Sequence, residues 1–182
     1  MRIGVMSDTH GNLALMQRAA NRMIDDFAVE VIVHLGDDCS DAREMDARGV
    51  RLVSVPGMYE SAWADGSVPH RVVEEFGGFR FLISHTPTKD GHDFPGDINP
   101  NLASSKYSCD VLLHGHTHRY RAVELEDGLI VINPGHMKSE EDRGAPASFA
   151  IIDAMSPDLK VLFYDMAGNL IDAANFVRGG SR

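Results

Sequence analysis

Short apolar runs that end in histidine or aspartate constrain this chain's fold more than any other feature. Asp8 and His10 follow Ile3-Gly4-Val5-Met6, and Asp37 follows Val31-Ile32-Val33-His34-Leu35-Gly36. His85 follows Phe81-Leu82-Ile83-Ser84, and His116 and His118 follow Val111-Leu112-Leu113-His114-Gly115. Such runs read as buried strands. Side chains at the ends of several strands can converge at the carboxyl edge of a sheet, where ligands collect in sheet-based folds. Carboxylate oxygens and neutral imidazole nitrogens are ligands of Zn, Mn and Fe. The pattern predicts a metal site at strand C-terminal ends, holding one or two divalent ions.

The first third of the chain alternates strand and helix. Residues 1–6 read as a strand. Residues 12–27 read as a helix, because Leu13, Met16, Ala20, Met23, Ile24 and Phe27 recur at spacings of three and four behind an Asn12 N-cap. A strand over 29–35, a short helix over 41–48 closed by Gly49, and a strand over 50–55 complete a βαβαβ pattern. The remainder is strand-rich, with expected strands at 71–76, 79–84, 109–114, 121–125, 129–133, 148–152, 159–164 and 170–176. Gly77-Gly78, Asp127-Gly128 and Gly168-Asn169 supply turns. Residues 86–108, with three prolines and two glycines, read as a long loop with a helical turn near 102–106. So many strands with so few helices predict the α/β (α+β) class: two packed mixed β-sheets flanked by helices. A single domain is expected over 1–178, with a disordered tail at 179–182.

Hydrophobic residues make up 43% of the 182, enough for a sizeable core. A formal net charge of -10 argues against a long nucleic-acid partner, whose phosphates need Lys and Arg. A pocket can still take phosphate where bound metal reverses the local sign. Cys39 and Cys109 form no close pair, so neither a zinc knuckle nor a disulfide framework is indicated. Free thiols without a leader segment point to a cytoplasmic protein. No run approaches the length of a membrane span.

The blocks differ in weight. Asp8-Thr9-His10 alone reads equally well as an Asx-turn or helix cap. Asp37 has no side chain beside it at Gly36, so its carboxylate can approach two cations. Gly115-His116-Thr117-His118 is sharper, since two histidines behind a buried strand are costly to keep as surface polarity. His34 and His114 fit structural roles better than ligation, and a solvated role suits His92. His136 is a candidate for the lining of the site. Asp38 and Asp41 fit either support of the site or, at Asp41, helix capping. The stretch 139–142 reads most simply as a solvated acidic loop.

In order, these blocks resemble the calcineurin-like metallophosphoesterase superfamily, in particular its small single-domain phosphodiesterases. The family pattern is D-x-H, G-D, G-N-[H/C]-[D/E], a strand-end H and G-H-T-H. The chain offers Asp8-Thr9-His10, Gly36-Asp37, His85 and Gly115-His116-Thr117-His118, closing with Asn133-Pro134-Gly135. The resemblance spans residues 1 to about 135. It implies that Asp8, His10, Asp37 and His118 hold one ion, and that Asp37, His85 and His116 hold a second, with Asp37 bridging. Mn, Zn, Fe and Ni are candidates. Such ions lie about 3.5–4 Å apart, and metal-bound hydroxide attacks phosphorus in line. The implied activity is a hydrolase, a phosphodiesterase acting on a small soluble phosphate ester.

One block departs from that pattern. Val55-Pro56-Gly57-Met58-Tyr59-Glu60 places Met58 where the family has an Asn ligand of the second ion. A thioether is a poor ligand for Mn or Mg. Tyr59 stands where many members carry a leaving-group His, and Glu60 matches an acidic position that orients a ligand His. The resemblance thus assigns catalytic roles to Asp37, His118, Tyr59 and Glu60. The alternative reading is a metal-binding scaffold of the same fold without turnover, which Met58 favours. A nuclease on long nucleic acid is disfavoured by charge. A homo-oligomer is compatible with the chain.

Overall fold

The computed structural model describes residues 1–37 and 39–178. Asp38, considered above as a support of the site, and the tail expected to be disordered lie outside these residues. The elements run β1 (Arg2–Met6), α1 (Leu13–Asp25), β2 (Val31–His34), α2 (Cys39–Glu44), β3 (Arg51–Ser54) and α3 (Ser61–Ala64). The hairpin β4 (Arg71–Phe76) and β5 (Phe79–Ser84) follows, then a 3-10 turn (Pro100–Leu102) and β6 (Val111–Leu113). Strands β7 (Arg121–Glu124), β8 (Ile130–Asn133), β9 (Ser148–Met155), β10 (Asp158–Asp165) and β11 (Leu170–Val177) complete the fold.

Two mixed sheets result, as the strand count predicts. One has the order β11-β10-β9-β1-β2-β3, the other β4-β5-β6-β8-β7. In the first, β1, β2 and β3 are parallel neighbours, with Ile3 opposite Val31 and Val31 opposite Arg51. In the second, β5, β6 and β8 are parallel. β1 and β2 are buried along nearly their whole length, which explains their near-continuous apolar sequence. Facing side chains, among them Val5, Val33, Phe81, Val111, Ile132 and Phe163, fill the space between the sheets. Buried aromatics of this size contribute most to such a core.

The outer faces are covered differently. On the first sheet, α1 lays down Met16, Ala19, Ala20 and Met23, the spacing read from sequence, and the Asn12 side chain caps its Leu15 N–H. On the second, the segment from Ile98 to Cys109 covers Leu82 and Leu112. That segment is firmly held. The buried Arg71 guanidinium donates to Ser84 Oγ, Ile98 O, Thr86 Oγ1 and Asp93 Oδ1 at 2.9–3.0 Å.

Two local expectations differ from the structure, and one short helix was not expected. α2 begins at Cys39 and stops at Glu44 rather than Arg48. Asp46 Oδ1 accepts from Arg48 N, and Arg48 turns left-handed (φ 48°) ahead of Gly49, which ends the helical path early. The helical turn expected near 102–106 starts earlier, at Pro100. α3 has four residues, too few for periodicity to reveal. No helix among the described residues is long and apolar enough to cross a membrane.

Candidate metal centre

The parallel strands deliver their carboxyl ends to one mouth between the sheets. The first sheet contributes Asp8 and His10 after β1, and Asp37 after β2. The second contributes His85 after β5, and His116 and His118 after β6. Backbone hydrogen bonds lock these loops together: Asp8 N donates to Gly36 O (2.9 Å), and Gly115 N to His85 O (3.0 Å).

Asp8, His10, Asp37 and His118 each offer a ligand atom, all within 4.8 Å of one another. His118 Nε2 lies 3.1 Å from Asp8 Oδ1, and His10 Nε2 lies 3.3 Å from both His118 Nε2 and Asp37 Oδ2. The other Asp37 oxygen, Oδ1, is 4.0 Å from His85 Nε2, and the His85 and His116 rings meet at 5.2 Å. Asp37 therefore sits between the two groups, one oxygen toward each.

Backbone conformation marks the same residues. Asp8, His10, Asp37, His116 and His118 all have positive φ, between 49° and 63°. The left-handed region disfavours L-residues, and such residues cluster at functional sites. Close packing also demands glycine nearby. A Cβ on Gly115 would lie 2.7 Å from Asp8 Oδ2, and one on Gly57 would lie 2.7 Å from Asp37 Oδ1.

The donor chemistry suits a divalent cation. His85 donates from Nδ1 to Leu35 O (2.8 Å), which leaves a lone pair on Nε2. That Nε2 is buried and has no hydrogen-bond partner among the described residues. An orphaned buried acceptor is costly, and a metal ion would satisfy it. Burial, and then the neighbouring His85, lower the His116 pKa and keep its imidazole neutral, as ligation requires. Burial alone would raise the Asp8 pKa, but the His118 hydrogen bond and the His85 field outweigh it and hold the carboxyl ionised. At His118 burial works against protonation, yet Asp8 and Asp142 together raise the pKa.

Asp142, read from sequence as part of a solvated stretch, meets the site directly. Its Oδ2 makes a short hydrogen bond with His118 Nδ1 and accepts from Lys138 Nζ at 2.7 Å. Arg143 Nη1 donates to His116 O and Thr117 O, both at 3.3 Å. No periodicity or spacing in 137–143 signals this, because the partner is 24 residues away along the chain. Asn133 braces the same loop, donating to Gly115 O and Thr117 Oγ1 at 2.8 Å.

The departing block is placed as follows. Met58 is buried next to Gly57, and Tyr59 is 79% exposed. Glu60 Oε1 accepts a short hydrogen bond from Gly57 N, fixing the turn that packs on Asp37. His34 is structural: Nδ1 accepts from Gly36 N and Nε2 meets Thr9 Oγ1 at 2.6 Å, and burial lowers its pKa to about 4. Burial likewise lowers His114 to about 4. Both ring nitrogens of His136 are engaged, by Lys138 N and Ala145 O, so it supports the site rather than lining it as a ligand. His92 is exposed beside Asp90, as expected. Asp41 lies within α2 and accepts from Gly11 N (2.9 Å), tying that helix to the β1 loop. A second cluster, His70, Asp93 and Asp97, is consumed internally: His70 bonds Asp97 and Trp63 O, and Asp93 pairs with Arg71.

Comparison with known proteins identifies a family and a fold. The model of the calcineurin-like phosphoesterase superfamily domain matches residues 1–156. Phosphodiesterase MJ0936 of Methanocaldococcus jannaschii is 28% identical over 148 residues, covering 74% of this chain and 83% of that protein. A crystal structure of a predicted phosphoesterase from Streptococcus pneumoniae superposes with TM-score 0.72 at 20% identity, over 97% of each chain. Zinc-bound Vps29 of Entamoeba histolytica gives TM-score 0.61 at 16% identity, over 97% of this chain and 99% of that one.

Proposed function

Because the chain belongs to the calcineurin-like phosphoesterase superfamily, we propose that it is a metal-dependent phosphodiesterase acting on a small soluble phosphate ester. Asp8, His10, Asp37 and His118 would hold one ion, and Asp37, His85 and His116 a second. The observation that carries the reading is His85 Nε2, buried, unpartnered among the described residues and aimed toward Asp37. When bound, divalent ions polarise phosphoryl oxygens and lower the pKa of a coordinated water.

The chain's own residues supply the rest. Asp8 stays ionised and is held by His116 N, which donates to its two oxygens at 3.0 and 3.2 Å. Asp37 presents one oxygen to each half of the site. Leu35 O fixes the His85 tautomer. Tyr59, 79% exposed, would donate its phenol to a phosphate oxygen. Glu60 secures the turn beneath it. The relative in M. jannaschii, described as a phosphodiesterase, supports the choice of a diester. The net charge of -10 disfavours long nucleic acid.

A second reading, a metal-binding scaffold without turnover, rests on Met58 in place of the family's Asn. One experiment separates the two. Protein stripped with EDTA is assayed on bis(p-nitrophenyl) phosphate with Mn2+ added back, beside Asp37→Ala. Turnover that returns with Mn2+ and is lost in the variant supports the enzyme. Metal binding without turnover favours the scaffold, and full activity in Asp37→Ala overturns the site assignment.

A further inference from the structure

We infer that Asp142 is a positioning residue for the metal centre, acting through His118 and held in place by Lys138. The inference rests on the metal-site reading above and adds a residue outside the matched motifs. Histidine ligands characteristically donate their second ring N–H to a carboxylate, which fixes the ring and raises ligand basicity. His118 has that arrangement: Nε2 faces Asp8 and His10, and Nδ1 meets Asp142 Oδ2.

The carboxylate is built in rather than incidental. Lys138 Nζ bonds the same Asp142 oxygen, while Lys138 N donates to His136 Nδ1 (3.0 Å). One residue earlier, Met137 N donates to Asp8 O (3.1 Å). Asn12 Nδ2, at the start of α1, reaches Met137 O (3.1 Å) and Ser139 Oγ (3.0 Å). At the far end Arg143 holds the carbonyls of His116 and Thr117, and Arg119 Nε donates back to Arg143 O (2.9 Å). Residues 137–143 thus form a strap across the mouth. It touches the loop of Asp8 from the first sheet and that of His118 from the second. Lys138 and Asp142 are only partly exposed, at 36% and 24%, so the pair is sheltered without being sealed from solvent.

The test compares wild type, Asp142→Asn and Asp37→Ala, each stripped and titrated with Zn2+ by calorimetry. Asp142→Asn keeps the shape of the side chain and removes its charge. It is expected to weaken binding roughly 10- to 100-fold, with the metal-free protein still folded. A downfield imidazole N–H proton resonance of His118 should be present in zinc-loaded wild type and lost in the variant. A merely structural role would leave the Zn2+ affinity of the folded variant at the wild-type value. Folded Asp142→Asn that binds Zn2+ like wild type and retains that proton overturns the inference. Should Asp142→Asn fail to fold, Lys138→Met carries the test: severalfold weaker binding supports the role, and wild-type affinity overturns it. Failure of the underlying reading looks different, with no Zn2+ bound by wild type or undiminished binding by Asp37→Ala.

Discussion

Met58 is the residue at which this chain leaves its family's pattern, and it is buried directly after Gly57, which packs on Asp37. Gly57, its neighbour, packs so closely on Asp37 that a Cβ there would come within 2.5 Å of Asp37 N. Under the two-ion reading proposed above, an oxygen ligand restored at position 58 would complete the site of the second ion. Met58→Asn is expected to tighten that ion on the order of tenfold, or about 1.4 kcal/mol, in a calorimetric titration. Unchanged affinity would mean that side chain 58 does not meet the metal. At this scale the ligand candidates were legible because each follows a readable strand directly. Asp142 was not, because what makes a carboxylate useful there is a fold-dependent approach to His118 across 24 residues. His136 was legible as a neighbour of the site but not in its role, which depends on two backbone partners that only folding supplies.

Among the elements, the segment that follows β5 behaves as structure rather than slack chain. Arg71 ties it at three points, and the Arg71–Asp93 pair is almost fully buried, with side-chain exposures of 0% and 1%. Removing one partner of a buried pair leaves the other charge stranded. Arg71→Ala is expected to cost roughly 3–5 kcal/mol of stability in urea unfolding, while metal content in the folded protein is retained. A cost under about 1 kcal/mol would show the segment to be held by its apolar contacts instead. Strand and helix positions were readable from period and turn residues, since α1, the β4–β5 hairpin and the last strands fall where expected. The end of α2 was not, because an Asx contact from Asp46 to Arg48 competes locally with helix continuation.

For the whole molecule, buried neutral histidine sets a direction for acid stability. His34 has a folded pKa of about 4, below the ordinary imidazole value of 6.5, because burial opposes its charge. The unfolded chain binds that proton more readily, so this contribution is fully present above about pH 6.5 and is lost as pH falls toward 4. The slope is at most about 1.4 kcal/mol per pH unit for the one group. His34→Gln, which cannot titrate, should flatten the fall in thermal midpoint across that window. An unchanged slope would assign the acid sensitivity elsewhere. The two-sheet architecture was legible from the strand count, whereas the way the loops around the mouth are tied together was not, since the ties run between loops remote in sequence. All six ligand candidates lie on loops beyond the strand ends, outside the ladders. The architecture is thus separable from the chemistry it carries. Descendants could drift through loss, repair or replacement of ligands while keeping their shape. Five of those positions already have a backbone that glycine or asparagine adopts with less strain. Relaxed selection would erode such loops first and leave the sandwich intact.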